Sequence, residues 1–152
     1  PASRAITRAV LGASLVCPPC PKITSSTSAG SRLVFFNNSV TTIRPDGSPH
    51  TTVVWVDVDT DEVLFNTAIG RAKERYLRKD PRVSLIVVDP EDSYRWVSVS
   101  GTAELDTNGA DEEIDRLAKK YLGKDEYPWR KPEEQRINVR IRPERVETTG
   151  LD

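Results

Sequence analysis

The sequence comprises 152 residues, of which 37% are hydrophobic and 30% are charged, with a formal net charge of -1. This length suits a single hydrophobic core, and the near-neutral charge argues against nucleic acid as a general partner. No apolar run approaches the roughly 20 residues that a membrane helix requires, so we expect no membrane span.

The first 39 residues differ in composition from the rest of the chain. Basic residues occur from Arg4 onward, whereas the first acidic residue is Asp46. Segment 1–31 is rich in Ser, Ala, Thr and Pro and shows no sustained helical or strand period. We therefore interpret 1–39 as an atypical, mobile N-terminal arm and 40–152 as one folded domain.

Several alternatives for the arm stay open. Its basic, Ser-rich start resembles a transit peptide, residues 9–16 resemble a short signal-peptide core, and an altered reading frame would also explain the shift in composition.

Cys17 and Cys20 are the only cysteines. Their Cys-x-x-Cys spacing occurs in redox motifs, although the neighbouring prolines do not favour the usual helix. Two thiols complete neither a disulfide framework nor a tetrahedral zinc site, so a reducing cytoplasm suits the domain.

The first predicted elements are strands joined by short turns. Pro45-Asp46-Gly47-Ser48 has the composition of a tight turn, and β-branched residues with Trp55 predict the returning strand. Such short connections indicate consecutive antiparallel strands. The predicted segments are 33–36, 40–43, 51–58 and 62–66.

A short helix at 71–78 is predicted to interrupt the strands. Thr67 is a plausible N-cap, and Pro81 lies just past the end of the helix. The following segment, 83–88, is apolar at nearly every position, which predicts a strand buried on both faces.

The remaining elements are two strands and a second helix. Segment 94–105 alternates in polarity, and Gly101 within it indicates a bulge or bend. Segment 110–122 has apolar residues at helical spacing, acids in its first turn and Gly123 after its last. The final strand alternates Ile, Val and Ile at 137, 139 and 141 with polar residues, which indicates one solvent- or ligand-facing side. These elements predict a mainly β (α+β) barrel of six to seven antiparallel strands with two helices.

Segment 67–77 carries the clearest chemical signal. It joins a strand to a helix and places Thr67, Gly70, Arg71, Lys73 and Arg75 around the helix N-terminus, where cations oppose the helix dipole. A bound anion would relieve this conflict, because backbone N–H groups and cations would converge on it. On an ideal wheel Lys73 points away from Arg71, so joint binding requires an irregular first turn. The alternative is a solvated helix face, which most charge runs are.

An ordered set of motifs resembles a known family. The strings are IRPDGSPH at 43–50, VW at 54–55, GRAKERYL at 70–77, DPRV at 80–83, YR at 94–95, Gly101, KYLG at 120–123 and YP at 127–128. In this order they resemble the pyridoxamine-phosphate-oxidase-like flavin/deazaflavin oxidoreductases of actinobacteria, and the similarity covers about residues 40–148.

The resemblance implies a split β-barrel homodimer with two cofactor grooves at the subunit interface. It implies that Arg71 and Lys73 hold the cofactor phosphate with Thr67 nearby. It further implies that Tyr94 and Trp96 approach from the partner subunit. Relatives often have Asn where Tyr76 stands, so the sequence departs from the pattern there. The full set of predicted cofactor-binding residues is His50, Thr51, Val53, Trp55, Asn66, Thr67, Arg71, Lys73, Arg75, Tyr76, Tyr94 and Trp96.

The function implied by the resemblance is hydride transfer from reduced deazaflavin, coenzyme F-420, to an electron-poor small-molecule acceptor such as a conjugated ketone, quinone or tetrapyrrole. The alternatives are an FMN-dependent oxidase or reductase and a non-catalytic carrier of the deazaflavin. Arg75, Arg78 and Lys79 would suit the longer anionic tail of F-420, which favours the deazaflavin.

No side chain is assigned to catalysis, and no metal site is expected. The sequence contains no evident Ser/His/Asp set, metal-binding cluster or pair of catalytic carboxylates, which fits a protein whose reactive atoms belong to a cofactor. His50 is the only histidine, and a lone His is more often structural. Trp129 and Arg130 either cap the pocket or cover the barrel end, and we favour the structural role.

Overall fold

The computed structural model describes residues 38–59 and 62–150. The expectations for Cys17, Cys20 and a strand at 33–36 lie outside the described residues. Within them, seven antiparallel strands form one sheet in the order β2-β1-β5-β6-β7-β4-β3. The strands are β1 (Asn38–Ile43), β2 (Pro49–Val53), β3 (Val56–Asp59), β4 (Glu62–Ala68), β5 (Arg82–Val88), β6 (Trp96–Asp106) and β7 (Arg136–Thr149).

The sheet curls into a split barrel, and helices α1 (Ala72–Lys79) and α2 (Ala110–Leu122) complete the domain. This confirms the predicted fold class and number of strands. The barrel is filled by the inward-facing side chains of all strands except β2, with Phe65 and Val99 fully buried at its centre. Neither helix of the described part of the chain is long and apolar enough to cross a membrane.

The predicted single strand at 51–58 is wrong, because the chain changes edges of the sheet there. β2 and β3 lie at opposite ends of the strand order, and Val54 and Trp55 connect them. The backbone N–H of Val54 donates to the carbonyl of Asn38 at 3.1 Å, which holds this crossing against β1. The connection therefore passes over the open side of the barrel and brings Trp55 to the site described below.

Tyr121 of α2 ties the two sides of this opening together. Its hydroxyl donates to the carbonyl of Val56 at 3.0 Å and accepts from the Val56 N–H at 3.1 Å and from Asn38 Nδ2 at 2.9 Å. Because Asn38 lies in β1 and Val56 in β3, one hydroxyl joins strands that do not pair directly. Burial raises the pKa of Tyr121 to about 12, so the hydroxyl keeps the proton that it donates.

The sheet confirms one strand expectation and corrects another. A Cβ at Gly101 would lie 2.0 Å from the Arg142 carbonyl oxygen, and the register shifts between Ser100 and Gly101, so the predicted bulge is present. β5 alternates buried and half-buried residues and is therefore not buried on both faces. The prediction was wrong because Ile86 and Val88 are apolar but only half-buried.

The two helices differ in how closely they follow the prediction. α2 has the predicted bounds and ends at Gly123, whose backbone is left-handed with φ 68°. α1 is not capped by Thr67, which lies in β4 opposite Ile137 of β7. The pairing with β7 extends β4 to Ala68, and the helix begins only after the turn at Gly70.

Candidate anion and cofactor site

A cavity of about 180 Å³ lies where the N-terminal end of α1 meets β4, β7, α2 and the edge-switching connection. Its lining combines cations, neutral polar groups and aromatic rings. The lining residues are Val53, Val54, Trp55, Asn66, Thr67, Arg71, Lys73, Ile114, Leu117, Tyr127, Trp129 and Arg136.

Three cations share this cavity. Arg71 and Lys73 come from the start of α1, and Arg136 comes from the first position of β7. Burial and the charges of Arg71 and Arg136 lower the pKa of Lys73, and burial together with Arg71 also lowers the pKa of Arg136. The three cations therefore repel one another, and burial strengthens this repulsion by removing part of the surrounding water.

Arg71 and Lys73 meet because the first turn is irregular. Arg71 occupies the N-cap position with an extended backbone, φ -72° and ψ 155°, and its side chain makes no capping hydrogen bond. It therefore departs from the ideal wheel, on which Lys73 would point elsewhere. Both side chains line the cavity, whereas Arg75, one turn further on, is exposed and lies outside it.

One carboxylate partly balances the three cations. Glu134 accepts a hydrogen bond from Arg71 Nη2 at 2.7 Å, and its second oxygen lies 3.7 Å from Arg136 Nη1. The hydrogen bond from Arg71 lowers the pKa of Glu134, so the carboxylate is ionised at neutral pH. No described carboxylate pairs with Lys73. The site therefore has a surplus of positive charge.

Two polar groups facing the cavity are buried without a partner. Thr67 is 1% exposed and Arg136 is 4% exposed. Thr67 Oγ1 and Arg136 Nη1 have no hydrogen-bond partner among the described residues. Buried polar groups normally find partners, since leaving one unpaired costs about 1–3 kcal/mol. An anion bound between them would supply the missing acceptor.

The guanidinium of Arg136 is held in a fixed orientation. Its Nε donates to Asn66 Oδ1 at 2.8 Å, and Asn66 Nδ2 donates to the Ala110 carbonyl at 2.8 Å and to Asn138 Oδ1 at 2.9 Å. The face of the guanidinium lies 5.2 Å from the centroid of the Tyr127 ring. Nη1, in contrast, has no hydrogen-bond partner among the described residues and lies 3.7 Å from Glu134.

Aromatic rings also line the cavity. Trp55 stacks on Tyr121 with ring centroids 5.5 Å apart, and Trp129 packs against Tyr127 at 5.6 Å. Trp129 is nevertheless 58% exposed. Its loop is fixed to α2, because Asp115 accepts hydrogen bonds from Arg130 Nη2 and from the Tyr127 N–H, each at 2.8 Å.

The sequence and the fold both match known proteins. A family model described as Pyridoxamine 5'-phosphate oxidase matches residues 36–150. The chain belongs to the pyridoxamine 5'-phosphate oxidase family. This confirms the family that the motifs of the sequence resemble.

Several solved structures share the split-barrel fold. An F-420 reductase is 24% identical with a TM-score of 0.63, and the match covers 80% of this chain and 98% of that chain. A conserved hypothetical protein from Mycobacterium tuberculosis is 29% identical with a TM-score of 0.59, covering 75% and 76% of the two chains. A pyridoxamine 5'-phosphate oxidase-related FMN-binding protein from Nostoc punctiforme is 15% identical with a TM-score of 0.53, covering 73% of each.

Six of the twelve residues predicted to bind the cofactor line the cavity. They come from the end of β2 and the connection after it, from β4 and from the start of α1, which are separate in sequence. They are Val53, Trp55, Asn66, Thr67, Arg71 and Lys73.

The other six predicted residues lie outside the cavity. His50 packs edge-on against Tyr76, with ring centroids 5.3 Å apart, and Thr51 shares a hydrogen bond with Thr41 at 2.8 Å. Tyr94 is 80% exposed in the connection before β6. The remaining two are the exposed Arg75 and the half-buried Trp96 of β6.

Half of the cavity lining was missed by sequence reasoning. Arg136 belongs to the polar side of the last strand, which the alternation marked as solvent- or ligand-facing, yet no local signal shows that its side chain is buried. Trp129 lines the cavity, so the pocket-capping alternative describes its position. The missed residues are Val54, Ile114, Leu117, Tyr127, Trp129 and Arg136.

Proposed function

We propose that this protein is an oxidoreductase that binds reduced deazaflavin, coenzyme F-420, and uses it to reduce an electron-poor small-molecule acceptor. The observation that carries the proposal is the anion site itself. Arg71, Lys73 and Arg136 face one cavity with a surplus of positive charge, beside the unpartnered hydroxyl of Thr67. Such a site fits the phosphate that F-420 and flavin nucleotides both carry.

The protein side chains would bind and orient the cofactor. Arg71 and Lys73 would hold the phosphate, Arg136 Nη1 would donate to it from the floor of the site, and the Thr67 hydroxyl would donate from β4. The cofactor supplies the hydride when bound. Ile114 and Leu117 give the cavity an apolar side, which would exclude water from the reacting groups.

The surface of α1 supports F-420 over FMN as the cofactor. Arg75 and Lys79 are exposed on the same helix as the phosphate-binding residues, where they would attract the longer anionic tail of F-420. Arg78 is less available, because it forms an ion pair with Glu74. FMN is the competing cofactor, since its phosphate would use the same residues.

Turnover separates the enzyme from a carrier and one cofactor from the other. The purified protein is incubated with reduced F-420 or reduced FMN and a panel of quinones, conjugated ketones and tetrapyrroles. We expect oxidation of F-420 in a 1:1 ratio with acceptor reduced. Turnover with FMN alone would contradict the choice of cofactor, and stoichiometric binding without turnover would contradict the reductase.

We also propose that the protein is a homodimer and that Tyr94 and Trp96 contact the cofactor held by the partner subunit. The exposed ring of Tyr94 and the exposed side chain of Val53, which lines the cavity, support this proposal. Sedimentation equilibrium should give a dimer, and Tyr94→Ala should weaken cofactor binding about fivefold without affecting folding. A monomer that binds cofactor with the affinity of the dimer would contradict it.

A further inference from the structure

Glu134 contacts two of the three cations that line the cavity. It lies two residues before Arg136, and its side chain is 20% exposed. One carboxylate oxygen accepts from Arg71 Nη2 at 2.7 Å. The other is buried without a hydrogen-bond partner, 3.7 Å from Arg136 Nη1. This carboxylate therefore lies between two of the three cations.

A phosphate group needs the same donors. Guanidinium groups bind carboxylates and phosphates through the same N–H groups. While Glu134 accepts from Arg71 Nη2, one of the five N–H donors of this guanidinium is not free for a ligand. A second anion beside Glu134 would also experience the repulsion of its charge.

A further cation, Lys131, acts on Glu134. Glu134 ends a turn in which its N–H donates to the carbonyl of Lys131 at 3.1 Å. The exposed Lys131 contributes to lowering the pKa of Glu134, so its charge acts on this carboxylate. A Glu134 carboxylate displaced from Arg71 would therefore still experience the positive charge of Lys131.

We propose that Glu134 is a built-in competitor that determines which anions the site accepts. A ligand must displace it from Arg71. A carboxylate gains from Arg71 only what Glu134 loses, whereas a phosphate has further oxygens and charge for Lys73, Arg136 and Thr67. Glu134 therefore selects phosphate over carboxylate ligands. This inference rests on the anion site of the proposed function and not on the identity of the cofactor.

The test compares Glu134→Gln with Glu133→Gln, a change of equal charge at an exposed neighbouring residue. Calorimetric titrations at pH 7.5 use inorganic phosphate and acetate. We expect Glu134→Gln to bind phosphate about tenfold tighter and acetate tighter by a larger factor, so that selectivity falls. Glu133→Gln should stay within about twofold of the wild type.

A second variant tests whether the gain in phosphate affinity comes only from removing a negative charge. Glu134→Asp keeps the charge and shortens the reach to Arg71, so we expect a smaller gain in phosphate affinity. Equal or weaker phosphate binding by Glu134→Gln would overturn the proposal and show that Glu134 positions Arg71. An equal gain in Glu133→Gln would overturn it too. If phosphate behaves as expected but neither F-420 nor FMN binds, the cofactor assignment fails and the competitor role stands.

Discussion

The two helices of this domain carry opposite charges where they begin. α2 has Asp111, Glu112 and Glu113 in its first turn and lysines in its last, as the helix dipole favours. α1 starts with Arg71 and Lys73, which the dipole disfavours, and it has no side-chain cap. α2 buries a full apolar face, whereas the buried residues of α1 are Leu77 and Glu74.

The difference fits the proposal that α2 is mainly structural and that the start of α1 binds an anion. Natural sequences obey local rules except where function opposes them. At α1 the unfavourable cations are kept, and the buried Glu74 compensates in part by accepting from the Gly70 N–H at 2.9 Å. Burial would raise the pKa of Glu74, but that hydrogen bond and the neighbouring arginines lower it. Substitutions in the buried face of α2 should therefore change stability most, although Ile114 and Leu117 also line the cavity, and substitutions at the start of α1 should change binding most.

The largest effect on stability is expected in α2. Leu117 is fully buried against Ile114 and Tyr121. Leu117→Ala should lower the free energy of unfolding by about 3 kcal/mol, because it removes buried methyl groups and leaves a cavity. Urea denaturation measures this, with the exposed Lys119→Ala on the same helix as control. A loss below about 1 kcal/mol would show that α2 is not a structural anchor.

A smaller effect is expected for Tyr121→Phe. It leaves Asn38 Nδ2 and the Val56 N–H without the hydroxyl acceptor, whereas the Val56 carbonyl keeps a hydrogen bond from Lys120 Nζ at 3.1 Å, so the loss should be about 1–3 kcal/mol. Because the folded-state pKa is about 12, above the usual 10, the hydroxyl stabilises the fold below pH 10, and this contribution is lost as the pH rises toward 12. Unfolding of both proteins at several pH values should show a steeper loss over that range in the wild type. Equal slopes would contradict the role of the hydroxyl.

The smallest effects should have opposite signs in the two helices. Glu112→Gln and Lys73→Gln each remove one charge from a first turn. The first should lower the free energy of unfolding by about 0.5 kcal/mol, and the second should raise it by a similar amount, because it relieves repulsion from the dipole and from Arg71 and Arg136. Thermal unfolding of the ligand-free proteins distinguishes them. Destabilisation by Lys73→Gln would mean that this lysine is structural.

The parts of the fold that depend on local rules were predictable from the sequence. The bounds of α2 follow from its apolar spacing and from Gly123, and the bulge follows from Gly101 within an alternating strand. The family motifs pointed to Arg71 and Lys73, and the structure places both residues in the lining of one cavity.

The parts that depend on long-range contacts were not predictable. Nothing in the composition of 51–58 shows that Val54 and Trp55 cross between sheet edges, because the crossing is set by which strands pair. Thr67 has the local signal of an N-cap, and only pairing with Ile137 places it in β4. Arg136 reaches the site for the same reason, since it pairs with Ala68 at the end of that strand.

The binding of F-420 and FMN to Arg71→Ala/Lys73→Ala tests the central claim most directly. Equilibrium dialysis compares this double variant with the wild type and with Lys119→Ala, which removes an exposed cation from α2. We predict that the wild type and Lys119→Ala bind F-420 equally and that the double variant, still folded by circular dichroism, loses at least about 100-fold in affinity. If the double variant binds either cofactor as tightly as the wild type does, the start of α1 is not the phosphate site.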